Sequence, residues 1–529
     1  MTSHHRKFTL PIVLATGLAA LALSACGGGS DSGSDELAKY APADAPVYLE
    51  GAVQPASDVA ANVDAITEQI AGVNLGDQIK ESINASGQVD FDTDIQPWLG
   101  ENAAVFSQID PAQLTGNSSE DLAAIESEAS SSGDSFGLVV QITDTDAAQS
   151  FIDKQAEADG ATDGEYEGFS YKISDSDGSA IGIVDDNLVV GSTEAEFEAA
   201  VDASKGDNLA DTDAFGDLSG HVADGALVNV FTNNDPYLDS LKEAGYDLGG
   251  LYSALGIDLE GSGTVLSLVP ETNEISMKGY TNAGSDLTSG DPSSLIETFP
   301  ADSFFATGSG DVGPNATKIV DALNEEGIPG VLEPGQVDKF IKDASGQIDV
   351  QGIIESLETV AFFVNGENAQ SLGGALVATS SNIGPIEDSL RGISSLIGMA
   401  GDSQVQPLPG GVAGFRVRTP ELPGRPVVVG VKGDRMVIGI GMKASMNALT
   451  GSGPTLADSD AYKAADESTE AAGLDMFANP LGIAALVANE GHGDPDASSA
   501  AKVLAKFKYM AAGSSSEEGT FEFNMGLGK

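Results

Sequence analysis

Cysteine occurs once in the 529 residues, at Cys26. A lone thiol cannot close a bridge within the chain, so a disulfide-stapled fold is excluded. Positive charge is scarce: 24 Lys and Arg stand against 81 Asp and Glu, a formal net charge of −57. Phosphate backbones are bound through a basic footprint, and a pI near 4.1 speaks against nucleic acid as a partner. Histidine is nearly missing. His4 and His5 sit at the N-terminus, leaving only His221 and His492 for the body, little material for a Ser–His–Asp system or a His-rich zinc site. No Gly-rich phosphate loop with Lys and Ser/Thr is present, and no dinucleotide fingerprint follows a strand, so no cofactor is expected. After Cys26 no apolar run reaches the ~20 residues that a spanning helix needs.

What is present begins with an address. His4, His5, Arg6 and Lys7 form a basic start, and an apolar stretch follows from Phe8 to Leu23. That length suits a signal peptide better than a membrane span. Leu23-Ser24-Ala25-Cys26 comes next, followed by Gly27-Gly28-Gly29-Ser30. The pattern resembles the bacterial lipobox, in which small residues precede a Cys that receives diacylglycerol before cleavage ahead of it. The chemistry uses a thiol nucleophile, and the only thiol of the chain stands at that place. The expectation is a signal peptide over 1–25, then an acylated Cys26 and a flexible Gly/Ser/Asp tether over 26–36. Such a tether reaches roughly 30 Å when extended. The partner it implies is the lipid bilayer, at the outer face of the cytoplasmic membrane.

The body reads as two copies of one unit. Pro42-Ala43-Asp44 is echoed by Pro300-Ala301-Asp302, and Gly168-Phe169 to Ile173 by Gly414-Phe415 to Thr419. Gly182 to Gly191 parallels Gly430 to Gly439, and Leu209-Ala210-Asp211 to Phe215 parallels Leu456-Ala457-Asp458 to Tyr462. Four pairs in the same order place the units at 37–287 and 288–529. Within the first unit, short apolar runs at 47–51, 103–107, 136–142, 171–174, 180–184 and 188–191 predict strands joined by polar turns. Helices are predicted over 56–70, from Asp144 onward, and over 194–203 behind a Thr193/Glu196 capping box. Strands arrive in hairpins and do not alternate strictly with helices. The expected class is α+β: two homologous units, each a largely antiparallel sheet with helices packed on one face.

Leu37 to Glu50, Asp94-Ile95-Gln96-Pro97-Trp98-Leu99-Gly100, and Asp186 to Ala195 together resemble a bacterial envelope family catalogued as domain of unknown function 3352. The resemblance covers most of the body, although the second half lacks the Pro-Trp-Leu-Gly element. It implies an envelope location and supplies no catalytic residue.

Three further groups are candidates for binding. Asp175 and Asp177 alternate in an Asp-Ser-Asp-Gly turn, as calcium ligands do, but the bidentate Glu of a complete loop is missing and Asp-Gly also makes tight turns. Asp90, Asp92 and Asp94 carry the same ambiguity. Trp98, the only tryptophan, either lines a ligand groove or plugs a core. Arg416, Arg418, Arg425, Lys432 and Arg435 gather on one predicted hairpin of the less acidic half, a dock for the acidic unit or an anionic envelope polymer, or else a solvated strand face. The expected function is a non-enzymatic binding or scaffolding lipoprotein of the cell envelope. The alternatives are a carrier or sensor of an apolar ligand and, behind it, a carboxylate-based hydrolase.

Overall fold

The computed structural model describes residues 34–528 apart from 86–88, 108–134, 244–247, 329–330, 345–348, 400–403, 419–421, 423, 470–472, 492–493 and 517. The expected signal peptide and tether up to residue 33, with Cys26, and His492 therefore lie outside the described residues. The chain divides into two compact units. One runs to Tyr246 and takes up Leu259–Ala283; the other comprises Asp247–Asp258 and Gly284–Lys529. The main boundary falls four residues before the expected 287/288. The expectation also gave 247–258 to the first unit, whereas this segment belongs to the second. There Asp258 bridges Gly284, and Gly250 lies so near Glu326 that a Cβ would stand 2.5 Å from its carboxylate.

The first unit contains β1 (Val47–Ala52), β2 (Leu99–Ser107), β3 (Phe136–Ile142), β4 (Thr162–Tyr166), β5 (Phe169–Ile173), β6 (Ala180–Val184), β7 (Asn187–Gly191), β8 (Val228–Asn233), β9 (Gly263–Glu271) and β10 (Glu274–Thr281). Neighbours run antiparallel in the order β4-β5-β6-β7-β3-β2-β1-β8-β9-β10. The second unit contains β11 (Ser303–Ser309), β12 (Leu357–Asn365), β13 (Gly373–Ser380), β14 (Gln404–Pro407), β15 (Ala413–Arg418), β16 (Val427–Lys432), β17 (Arg435–Ile440), β18 (Met476–Ala478), β19 (Phe507–Ser515) and β20 (Thr520–Leu527). Its order is β14-β15-β16-β17-β13-β12-β11-β18-β19-β20, the same scheme with every number raised by ten. The fold is mixed α+β on antiparallel sheets.

The four echoed segments occupy equivalent places in the two schemes. Leu209–Asp211 and Leu456–Asp458 are both short 3-10 turns. Each leads into a helix capped by a hydroxyl: Thr212 before α5 (Asp213–Ser219) and Ser459 before α11 (Asp460–Ser468). Gly191 is the last residue of β7 and Gly439 the last but one of the equivalent β17, each under a helix: α4 (Glu194–Lys205) and α10 (Met442–Thr450). A Cβ would stand 2.4 Å from the Phe197 amide at Gly191, and 2.5 Å from the Ser445 hydroxyl at Gly439. Only glycine lets helix and strand approach that closely.

The first helix after β1, α1 (Ser57–Ala71), ends at Gly72 in the left-handed region, φ 74°. Next comes α2 (Leu75–Ala85). The Asp144 carboxylate accepts from the Ala147 amide at 3.0 Å and starts α3 (Thr145–Asp159). β4 went unpredicted because Thr162-Asp163-Gly164-Glu165-Tyr166 is a polar edge strand without an apolar stripe.

Helices cover both faces of the first sheet, not one. On the α4 face, Tyr48, Phe106, Val139 and Val189 pack with Phe197, Ala200 and Val201. On the other, Leu138, Val140, Leu188 and Val190 pack under Ile79 and Ile83 of α2, Phe151 and Ile152 of α3, and Trp98. The cause is visible in β3 and β7, which are apolar at successive positions and so bury both sides. Among the described residues no helix is long and apolar enough to cross a membrane.

Candidate functional site

The second unit carries α6 (Val312–Glu326), α7 (Gln336–Ala344), α8 (Val350–Ser356) and α9 (Gly384–Met399). Its α10 face is closed: Ala375, Val377 and Val437 pack with Ala448, Leu449 and Tyr462. The opposite face is closed only at one end, where Ile386 and Leu390 of α9 lie on Phe415, Val417 and Val431. Over the middle strands it is open. Leu376 pairs with Ile438 across β13 and β17, as Leu138 pairs with Val190 across β3 and β7. Leu138 and Val190 are 1% and 0% exposed; Leu376 and Ile438 are 40% and 43% exposed.

The register continues the open row. Phe362 of β12 stands beside Leu376, and Val429 of β16 beside Ile438. The Phe305 ring lies 5.5 Å from that of Phe362. Along β12, β13, β17 and β16, the alternate residues on this face, from Val360 to Val431, are all Gly, Ala, Val, Leu, Ile, Met or Phe. Nothing there forms a side-chain hydrogen bond or carries charge. Ten large apolar side chains are exposed among the described residues, and nine belong to the second unit, with Met277 alone in the first. The imbalance marks the second unit as the one with an unfinished apolar surface.

The first unit has a different concavity, a cleft of about 590 Å³ between α3 and the β4–β5–β6 edge. Asp153, Asp163, Glu165 and Lys172 line it beside Ile152 and Tyr171. Lys172 Nζ meets Asp163 Oδ1 at 2.5 Å. Burial and the Glu194 carboxylate, which accepts from the phenol at 2.7 Å, push Tyr171 up to about 12. Its charged rim suits water and ions better than hydrocarbon.

The candidates from the sequence disperse. Trp98 is a core plug, 1% exposed, its indole donating to the Asp94 carbonyl at 2.6 Å and its rings 5.3 Å from Phe151, so it lines no groove. Asp177 accepts from the Ser179 amide and hydroxyl at 3.1 and 2.7 Å and shapes the β5–β6 turn, while Asp175 is exposed. Among the described residues no three metal-ligating side chains converge. Asp94 grips Lys154, 2.6 Å away, and accepts from the Asp90 amide. Arg416, Arg418, Lys432 and Arg435 share the α10 face by register, but they form no continuous exposed patch. The Arg435 guanidinium turns inward to Thr298 and the Ala448 carbonyl, and Arg425 donates to the Leu372 carbonyl at 2.6 Å. Arg416 is half-buried, leaving Arg418 and Lys432 exposed on separate strands. His221 stacks on Tyr280 at 3.5 Å. The open row itself went unread; its one signal was the missing Pro-Trp-Leu-Gly element.

The profile of the DUF3352 proteins, a family of unknown function, matches residues 9–469. The chain belongs to that family. The match takes in the first unit and the open row of the second. No curated protein matches this DUF3352 chain in sequence. Two solved structures of TP0453, crystal forms I and III, align with it at 11% identity, covering 78% and 80% of this chain and 95% and 98% of theirs. The TM-score is 0.20 in both cases.

Proposed function

We propose that this protein is a non-enzymatic binding module of the cell envelope, held at the outer face of the cytoplasmic membrane by acylated Cys26. In this reading the body arose by duplication of one α+β unit. The first copy closed both faces of its sheet, and the second kept one face open for binding. The observation that carries the binding role is the matched pair of stations, Val190 sealed and Ile438 open, in sheets of one strand order. An apolar surface left unsealed in a soluble body is held open by selection for contact with something else. The anchor rests on the lipobox-like run ending at the only thiol. Two acyl chains hold a protein stably where one is marginal. They are needed because a body of this acidity is repelled by anionic headgroups.

The test is metabolic labelling with alkynyl palmitate in cells making the full chain or Cys26→Ala. Label on the wild type and none on the variant, whose signal segment stays uncleaved because cleavage follows acylation, is the expected result. Equal label on both, or a wild-type chain recovered in the cytosol with Met1 intact, would overturn the anchoring.

A further inference from the structure

The sheet of the first unit ends on β4, which pairs only with β5 among the described residues. One row of its backbone groups therefore has no strand beside it. Sheets commonly blunt such an edge with Pro, Lys or a bulge. β14, at the same place in the second unit, has four residues and ends on Pro407. β4 has five residues, neither Pro nor Lys, and an unbroken register with β5. Tyr166 and Phe169 flank the two-residue turn Glu167-Gly168. The closing pair of such a hairpin is hydrogen-bonded, and bonding then alternates along the strand. That alternation directs the N–H and C=O of Asp163 and Glu165 outward.

The side chains of the same two residues line the cleft beside α3. Tyr166 belongs to the other face, where its hydroxyl donates to Asp202 of α4 at 3.0 Å. Asp153 of α3 adds a third carboxylate to the cleft, against a single cation, Lys172. Lys172 Nζ sits on Asp163, its direct partner in register, and no described cation pairs with Glu165. Lys172 thus displays, from the inner side, how an ammonium on a neighbouring strand meets this row. A strand added on the outer side would set its side chains opposite Asp163 and Glu165 at about 4.5–5.5 Å, where opposite charges attract. The two carboxylates repel an acidic strand, a second copy of β4 included.

We infer that the β4 edge and its cleft dock an extended peptide segment of a partner protein, with basic residues at alternate positions. Its backbone pairs with Asp163 and Glu165, and its Lys or Arg side chains enter the cleft beside Glu165 and Asp153. This site goes beyond the open face of the second unit and stands if that face binds nothing.

The experiment titrates the full chain, purified in detergent, against a fluorescent peptide of four Lys-Val repeats. Saturable binding is expected, and hydrogen exchange should slow in the fragment carrying residues 162–166, because the outward amides gain partners. Glu165→Lys is expected to weaken binding about tenfold or more, and to make the chain bind a Glu-Val repeat that the wild type ignores. Should that variant lack native near-ultraviolet circular dichroism, Glu165→Gln with Asp153→Asn takes its place, with the same loss of the Lys-Val peptide expected. Spermine carries the charge without a backbone. It should compete at least tenfold more weakly than unlabelled peptide and leave exchange at 162–166 unchanged. Absence of saturable binding, binding without protection of β4, binding undiminished in a folded variant, or spermine competing as well as peptide would each overturn the inference.

Discussion

Val190 and Ile438 hold the same station in two sheets of one strand order, yet the first is sealed and the second is 43% exposed. The pairing scheme is therefore not what closes a face. Closure depends on what the connections lay over the sheet. In the first unit the segment before β2 folds into Phe91–Ile95 and sets Trp98 and Ile95 against β3 and β7. In the second unit α8 runs straight into β12 with no such plug. Charge follows the same division. Residues 27–246 with 259–283 hold 7 basic and 47 acidic side chains, net −40, against 15 and 34, net −19, over 247–258 with 284–529. The sealed unit can carry the denser acidity because no apolar partner has to meet it.

The comparison can be broken most directly at the plug. Trp98→Ala removes a fully buried indole between Phe151 and the sheet. It should cost the first unit about 3–5 kcal/mol, the range for emptying a large aromatic site. Hydrogen exchange read peptide by peptide under mild denaturant should show protection falling across β3, β7 and α3 while β13 and β17 hold. Equal losses in both units would mean that the plug does not distinguish them.

A smaller effect sharpens it at the matched stations. Val190→Ser places a hydroxyl where no partner faces it and should cost about 2–3 kcal/mol. Ile438→Ser touches a surface already in water and should stay within about 0.5 kcal/mol. Urea titrations of the two variants, each read through its own unit's peptides, give the difference. Similar costs would show that the second face is sealed in solution.

Much of this division was written in the residues, though unevenly. Apolar runs at 136–142 and 188–191 gave β3 and β7, and Asp144 and Thr193 marked helix starts, because hydrophobic period and capping are local. The strand order repeated in the second unit was foreshadowed by four echoes that now sit at equivalent turns and strands. Openness was not legible in the strands. Leu188-Val189-Val190 and Met436-Val437-Ile438 read alike, and only the distant absence of a Pro-Trp-Leu-Gly element separated them. The arginines misled for a related reason. Charge counted along a hairpin does not say that Arg435 turns inward to cap Ala448, since that depends on a helix arriving from elsewhere.

The smallest expected effect opposes two aspartates, one per unit, in their response to acid. Burial raises Asp94, but the Asp90 amide and the Lys154 ammonium outweigh it and hold the carboxyl below its ordinary value. Its folded pKa is depressed, so the stability it contributes is present above the unfolded value of about 3.9 and is lost as pH falls through the folded one. Asp475 runs the other way. Burial and the charge of Asp291 raise it, and the Ser514 hydroxyl offsets only part of the rise. Its folded pKa is elevated, so its contribution is complete below the unfolded value and is lost as pH climbs through the folded one. Acidification should therefore loosen the contact between Asp94 and α3 while relieving the strain of an ionised Asp475 beneath β19. Asp94→Asn should flatten the first unit's loss on the acid side of about pH 4. Asp475→Asn should flatten the second unit's decline above it and leave neutral stability equal or higher, since an amide needs no charge solvated there. Unit-resolved exchange across a pH series reads both. If the two variants shift stability in the same direction, the opposed surroundings assigned to these carboxyls are wrong.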